Sequence, residues 1–162
     1  MKKSKEQIIL ELNNYLQFGY TNADSYDDPR NEVAILLTNL HFIDPRECEI
    51  FCKKIIGSKE NSDNYLDSSC LSHLFDLNKE YALHYVEQHI TNMSTPILDE
   101  TMDGFVKYSR TSFRIKFSDD LISKIYTRYK EISADPFYAE MLAATYKFFS
   151  EAYPENNANS QR

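Results

Sequence analysis

Residues 58–106, SKENSDNYLDSSCLSHLFDLNKEYALHYVEQHITNMSTPILDETMDGFV, decide the fold. Leu66, Cys70, Leu74 and Leu77 recur at steps of three and four, with Leu71 and Phe75 beside them, the stripe of an amphipathic helix. After Asn78 the pattern returns in Ala82, Tyr85, Val86, His89 or Ile90, and Met93. After Thr95 it returns in Leu98, Met102, Phe105 and Val106. The same segment is strongly acidic. Lys59 and Lys79 stand against Glu60, Asp63, Asp67, Asp76, Glu80, Glu87, Asp99, Glu100 and Asp103, a balance equal to the net charge of −7 carried by the whole chain. The flanks therefore cancel, and the negative charge lies on a helical surface.

Prolines extend the helical pattern outward. Asp28-Pro29, Asp44-Pro45, Thr95-Pro96 and Asp135-Pro136 each set a capping side chain before a proline, as at an N-cap followed by N1, where proline loses no hydrogen bond. Pro154 follows the last helix and stops it. The stripe of Ile8, Ile9, Leu12, Tyr15 and Leu16 predicts a helix from about Ser4 to Gln17, ended by Gly19. A second helix follows Pro29, with Val33, Leu36, Leu37 and Leu40 inward. A third follows Pro45, with Cys48, Phe51, Cys52, Ile55 and Ile56 inward and Gly57 as the glycine past its end. The fourth begins near Ser62 or Asp63. A seventh after Ser118 carries Leu121, Ile122, Ile125, Tyr126 and Tyr129. An eighth from Pro136 carries Tyr138, Met141, Leu142, Thr145, Phe148 and Phe149. Gly104 inside the sixth implies the close approach of another helix. Phe113, Ile115 and Phe117 alternate with polar residues, but a lone strand has no partner, so this segment reads as an extended connection.

The expected architecture is all-α: one domain over residues 1–153 and a polar tail over 154–162. Caps recur about every 17 residues, so a helix pair takes about 34, the length of an αα-hairpin in HEAT-like or armadillo-like stacks. An irregular helical bundle is the alternative. With 162 residues, 42% hydrophobic and 27% charged, the chain can bury a real core. Three cysteines without paired spacing fit reduced thiols and a cytoplasmic setting. The apolar run after Met1 is broken by Glu6 and Glu11, so no signal peptide or membrane span is expected.

No catalytic motif accompanies these helices. There is no HExxH, GxSxG or glycine-rich phosphate loop. Cys48 and Cys52 are spaced i,i+4, and Cys70 and His73 i,i+3, as metal ligands can be. All three cysteines lie on apolar stripes, where cysteine behaves as a small hydrophobe, so no metal site is expected. A nucleophilic pair of Cys70 with a histidine yields to a structural histidine for the same reason. Asp63 with Asp67, and Asp103 with Lys107, read as solvated pairs one turn apart. Lys107, Arg110, Arg114, Lys116, Lys124, Arg128 and Lys130 form a basic run, but the acidic whole repels nucleic acid. The expectation is a non-enzymatic protein without a cofactor. Its partner surface is Asp63, Tyr65, Asp67, Glu80, Tyr81, His84, Glu87, Asp99, Glu100 and Asp103, where carboxylates surround rigid aromatics and suit a basic protein.

A small, acidic, glycine-poor, aromatic-rich helical chain of this texture, as in residues 78–93, resembles the immunity proteins of bacterial contact-dependent growth inhibition and related polymorphic toxin systems, some with HEAT-like folds. The resemblance covers the whole chain in architecture and composition and carries no motif, so it transfers no residue role. It implies a protein that binds a cognate toxin domain, a nuclease such as a ribonuclease, and blocks it. The alternatives are a helical adaptor or regulatory subunit, and an enzyme with a site scattered over His, Tyr and carboxylate residues.

Overall fold

The computed structural model describes residues 3–111 and 116–155. Among them are eight α-helices and one 3-10 turn, and no strand: α1 (Lys5–Phe18), α2 (Pro29–Ile43), α3 (Pro45–Ile55), α4 (Asn64–Leu77), α5 (Lys79–His89), the 3-10 turn (Ile90–Asn92), α6 (Thr95–Ser109), α7 (Asp119–Ile132) and α8 (Pro136–Ala152). The chain divides into two compact units, Met1–Leu83 and His84–Arg162. No helix among the described residues is long and apolar enough to cross a membrane.

In the first unit α2 packs against α1, α3 and α4, and α3 packs against α4. Its core is Ile8 and Leu12 of α1, Val33, Leu37 and Leu40 of α2, Cys48, Phe51, Cys52 and Ile55 of α3, and Leu66, Leu71 and Leu74 of α4. Each fully buried leucine or isoleucine contributes about 1.5–3 kcal/mol of apolar burial. Caps define the ends. Ser4 and Gln7 make a reciprocal capping box on α1. Asp28 caps α2 through the Arg30 amide, and Asp44 closes α2 while its carboxylate caps α3 through Glu47. Gly19 and Gly57 take φ of 79° and 74° past the ends of α1 and α3, a region that disfavours side chains with a Cβ.

In the second unit α6 packs against α7 and α8, and α7 packs against the 3-10 turn. Phe105 of α6 is fully buried beneath Phe117, whose ring stacks on it at 4.2 Å. The Tyr153 hydroxyl donates to the Phe105 carbonyl at 2.7 Å, and the Tyr126 hydroxyl to the Tyr153 carbonyl at 2.7 Å, tying α6, α7 and the end of α8 together. Gly104 is buried. Ile90, not His89, takes the buried position.

Two expectations need correction. The N-cap of α6 is Ser94, not Thr95, and its side chain makes no capping bond; Ser94 Oγ is buried with no hydrogen-bond partner among the described residues. Proline here falls at the second helical position, which tolerates it as well as the first. On α8 only Leu142 and Phe149 of the expected stripe are buried, while Tyr138, Met141 and Phe148 are 39%, 48% and 48% exposed. Leu142 and Phe149 are seven residues apart, two turns on one face of α8. Phe117 of the extended connection is buried, whereas Phe113, Arg114 and Ile115 lie outside the described residues.

Candidate functional site

The ten residues expected to form the partner surface divide by what their side chains already do. Asp63 is the N-cap of α4, accepting from the amides of Tyr65 (3.1 Å) and Leu66 (2.8 Å), and Arg30 Nε lies 3.9 Å away. Asp67 accepts from the Gly57 amide at 2.9 Å and Ser62 Oγ at 2.6 Å, fastening the α3–α4 loop to α4. These two are structural carboxylates, not the solvated pair that their spacing predicts. Tyr65 beside them is 70% exposed. Tyr81 is half-buried, with Lys53 Nζ 4.9 Å from its ring centre.

Glu80, His84 and Glu87 are exposed at i, i+4 and i+7 on α5, hence on one face of that helix. Neither Glu80 nor Glu87 forms an ion pair among the described residues. On α6, Asp103 pairs with Lys107 at 2.8 Å, as the spacing predicts. Glu100 is half-buried. Asp99 departs from the expectation of a fully hydrated carboxylate. Burial pushes its carboxyl above the ordinary range; a hydrogen bond from Thr145 of α8 opposes this, and Asp103 reinforces it.

Part of the basic run is paired with acids close at hand. Lys107, Lys124, Arg128 and Lys130 pair with Asp103, Asp120, Glu131 and Glu155, and Arg128 Nε also donates to the Met93 carbonyl at 2.8 Å. The Arg110 guanidinium lies over the Phe148 ring. A cleft of about 440 Å³ in the second unit is lined by Lys116, Asp119, Ile122, Tyr126, Tyr153 and Glu155, among others. The hydroxyls of Tyr126 and Tyr153 already donate to backbone carbonyls, and burial pushes both phenols up to about 12. Neither is an activated nucleophile or base.

The first unit contains a cluster that spacing did not reveal. His41 near the end of α2, Cys48 in the first turn of α3 and His73 of α4 bring one ring nitrogen of each histidine and the cysteine Sγ within 4.8 Å of one another. The two Nδ1 atoms are 3.1 Å apart. Burial, reinforced by His41, holds His73 down at about 4, so its ring is neutral at pH 7; Asp76 opposes this shift. Cys48 Sγ lies 3.4 Å from the Leu37 carbonyl and 3.9 Å from Cys52 Sγ. Its hydrogen bond to Cys52 and burial raise the Cys48 thiol far above the ordinary range. The bond from Cys48 favours the Cys52 thiolate, but the bond to Cys70 and burial outweigh it and raise that thiol too. None of the three cysteines is exposed, and raised thiols are poor nucleophiles. His41 is seven residues before Cys48, and the Asp44-Pro45 turn folds the two back on each other. The approach of α4 that adds His73 leaves no periodic signal.

No known family model matches the sequence, and no curated protein is significantly similar to it.

Proposed function

We propose that this chain is a non-enzymatic binding protein that neutralises a basic toxin domain, a nuclease such as a ribonuclease, through an acidic surface bearing exposed aromatics. The observation that carries this reading is the imbalance of pairing. The lysines and arginines of α7 are matched by nearby acids, whereas Glu80 and Glu87 stand exposed without an ion pair among the described residues. A basic cleft that binds a nucleic-acid backbone is complementary to such carboxylates, which would occupy the place of phosphates. Tyr65, 70% exposed, supplies a rigid aromatic contact at low entropic cost. Asp63, Asp67 and Asp99 are engaged inside the fold, which leaves the exposed face of α5 with Glu80, His84 and Glu87 and, separately on α4, exposed Tyr65.

In the first unit the helices pack mostly on sequence neighbours, which supports reading them as stacked αα-hairpins of the HEAT or armadillo kind. Three buried cysteines without a disulfide fit a cytoplasmic protein.

The test is capture with the tagged protein from its host's lysate, washed at low and then high salt, followed by assay of the captured protein's own activity. The expected result is one basic protein in stoichiometric amount, inhibited by the chain, and retained less by the E80K/E87K variant. A partner that keeps its activity would make the chain an adaptor. Unchanged retention by E80K/E87K would remove the acidic face of α5 from the interface.

A further inference from the structure

We propose that His41, Cys48 and His73 form a zinc site, binding through Nδ1, Sγ and Nδ1 from three different helices, with water as the fourth ligand. This is independent of the partner surface. It rests first on geometry. Tetrahedral zinc with Zn–N bonds of about 2.0–2.1 Å and Zn–S bonds of about 2.3 Å sets N···N edges of about 3.3 Å and N···S edges of about 3.6 Å. The two Nδ1 atoms are 3.1 Å apart, and a ring nitrogen of each histidine lies within 4.8 Å of the other and of Cys48 Sγ. Closing the set onto one ion thus takes small rotations about χ1 and χ2, not a rearrangement of helices.

The donor chemistry agrees. Two imidazoles and one thiolate are borderline ligands that select zinc over hard cations such as magnesium or calcium. Without a metal the histidines can share only one proton between their facing Nδ1 atoms, one ring donating and the other accepting. With zinc, both Nδ1 lone pairs turn to the ion and each ring keeps its proton at Nε2. Cys48 releases its thiol proton to solvent on binding, and the metal charge stabilises the thiolate that burial otherwise disfavours. His41 and His73 are only half-buried, so water reaches the fourth position. Cys52 is close to Cys48, with Sγ atoms 3.9 Å apart, but lies outside the three-way cluster. Because α2, α3 and α4 each give one ligand, the ion would cross-link three of the helices that pack together in the first unit.

The experiment uses the full chain without a histidine tag, stripped with chelator and then titrated with Zn²⁺ and, separately, Co²⁺. Bound metal is counted after desalting, and the cobalt form is read by absorption. One equivalent of metal is expected, with tetrahedral d–d bands and a thiolate-to-cobalt charge-transfer band, both abolished by added zinc. Zinc should raise the Tm of the wild type. His41→Gln and His73→Gln should each weaken binding by about 100-fold or more, and Cys48→Ser should also remove the charge-transfer band. Cys52→Ser and Cys70→Ser should bind as the wild type does. Far-ultraviolet circular dichroism of the metal-free variants separates lost ligands from lost folding. If a variant fails to fold, the wild-type cobalt spectrum still decides. Failure of the wild type to retain metal, a cobalt spectrum without the thiolate band, or undiminished binding by folded His41→Gln would overturn the site. A loss with Cys52→Ser equal to that with Cys48→Ser would overturn the three-ligand set.

Discussion

At the scale of single residues, the Asp99 carboxyl works against folding at neutral pH. It is half-buried on α6, faces Thr145 of α8, and has Asp103 one turn away. Its folded-state affinity for a proton is raised above the ordinary value of 3.8. Well below that value the group is protonated in both states and contributes nothing. As pH rises, the unfolded chain ionises first, stability falls, and the full penalty is present once pH exceeds the raised folded value. Asp99→Asn should therefore be more stable than the wild type at pH 7, with the gap closing as pH is lowered towards 3. Denaturant unfolding of both proteins across that range checks it, and a gap that stays constant with pH would exclude ionisation as the cause. The sequence shows Asp99 and Asp103 on one helix face but not that α8 covers one and leaves the other to Lys107. The His41–Cys48–His73 cluster was hidden in the same way. Periodicity placed Cys48 and Cys52 correctly on the buried face of α3, yet it is blind to which side chains of α2 and α4 that face meets.

At the scale of elements, side chains placed before prolines carried most of the fold. Asp28, Asp44 and Asp135 each accept from an amide of the helix they precede, and those helices begin at the proline that follows. Asp135 accepts from the Phe137 amide at 2.9 Å, so Asp135→Ala should cost about 1 kcal/mol in chemical denaturation. Asp135→Ser, which preserves a capping oxygen, should recover most of that loss. If both variants lose stability equally, the carboxylate acts through something other than the cap. Ser94 marks where this logic weakens. Thr95-Pro96 looked like cap and N1, but proline is tolerated throughout the first turn, where amides lack helical partners anyway, so it fixes a helix start only to within a residue. On α8 the limit is different. Its apolar residues cover more of the helix than α6 can bury, and sequence alone does not tell a covered apolar face from an open one.

At the scale of the whole molecule, the concentration of charge in residues 58–106 was legible by counting, whereas the pairing of individual charges was not. Net charge and local charge make different demands on the proposed partner surface, and two variants separate them. E80K/E87K reverses exposed carboxylates without ion pairs among the described residues. D103K/D120K makes the same change in net charge at carboxylates that already hold Lys107 and Lys124. If the overall field of a chain with net charge −7 draws a basic partner in, both variants slow association alike. If the α5 face makes the contact, E80K/E87K should slow association about tenfold at low salt and D103K/D120K by no more than about twofold. The difference should shrink as ionic strength rises and the screening length falls to about 8 Å at 0.15 M. Stopped-flow association with the captured partner at three salt concentrations measures both variants. Equal slowing would mean that the acidic segment steers without touching, and the interface would then have to be sought on another face.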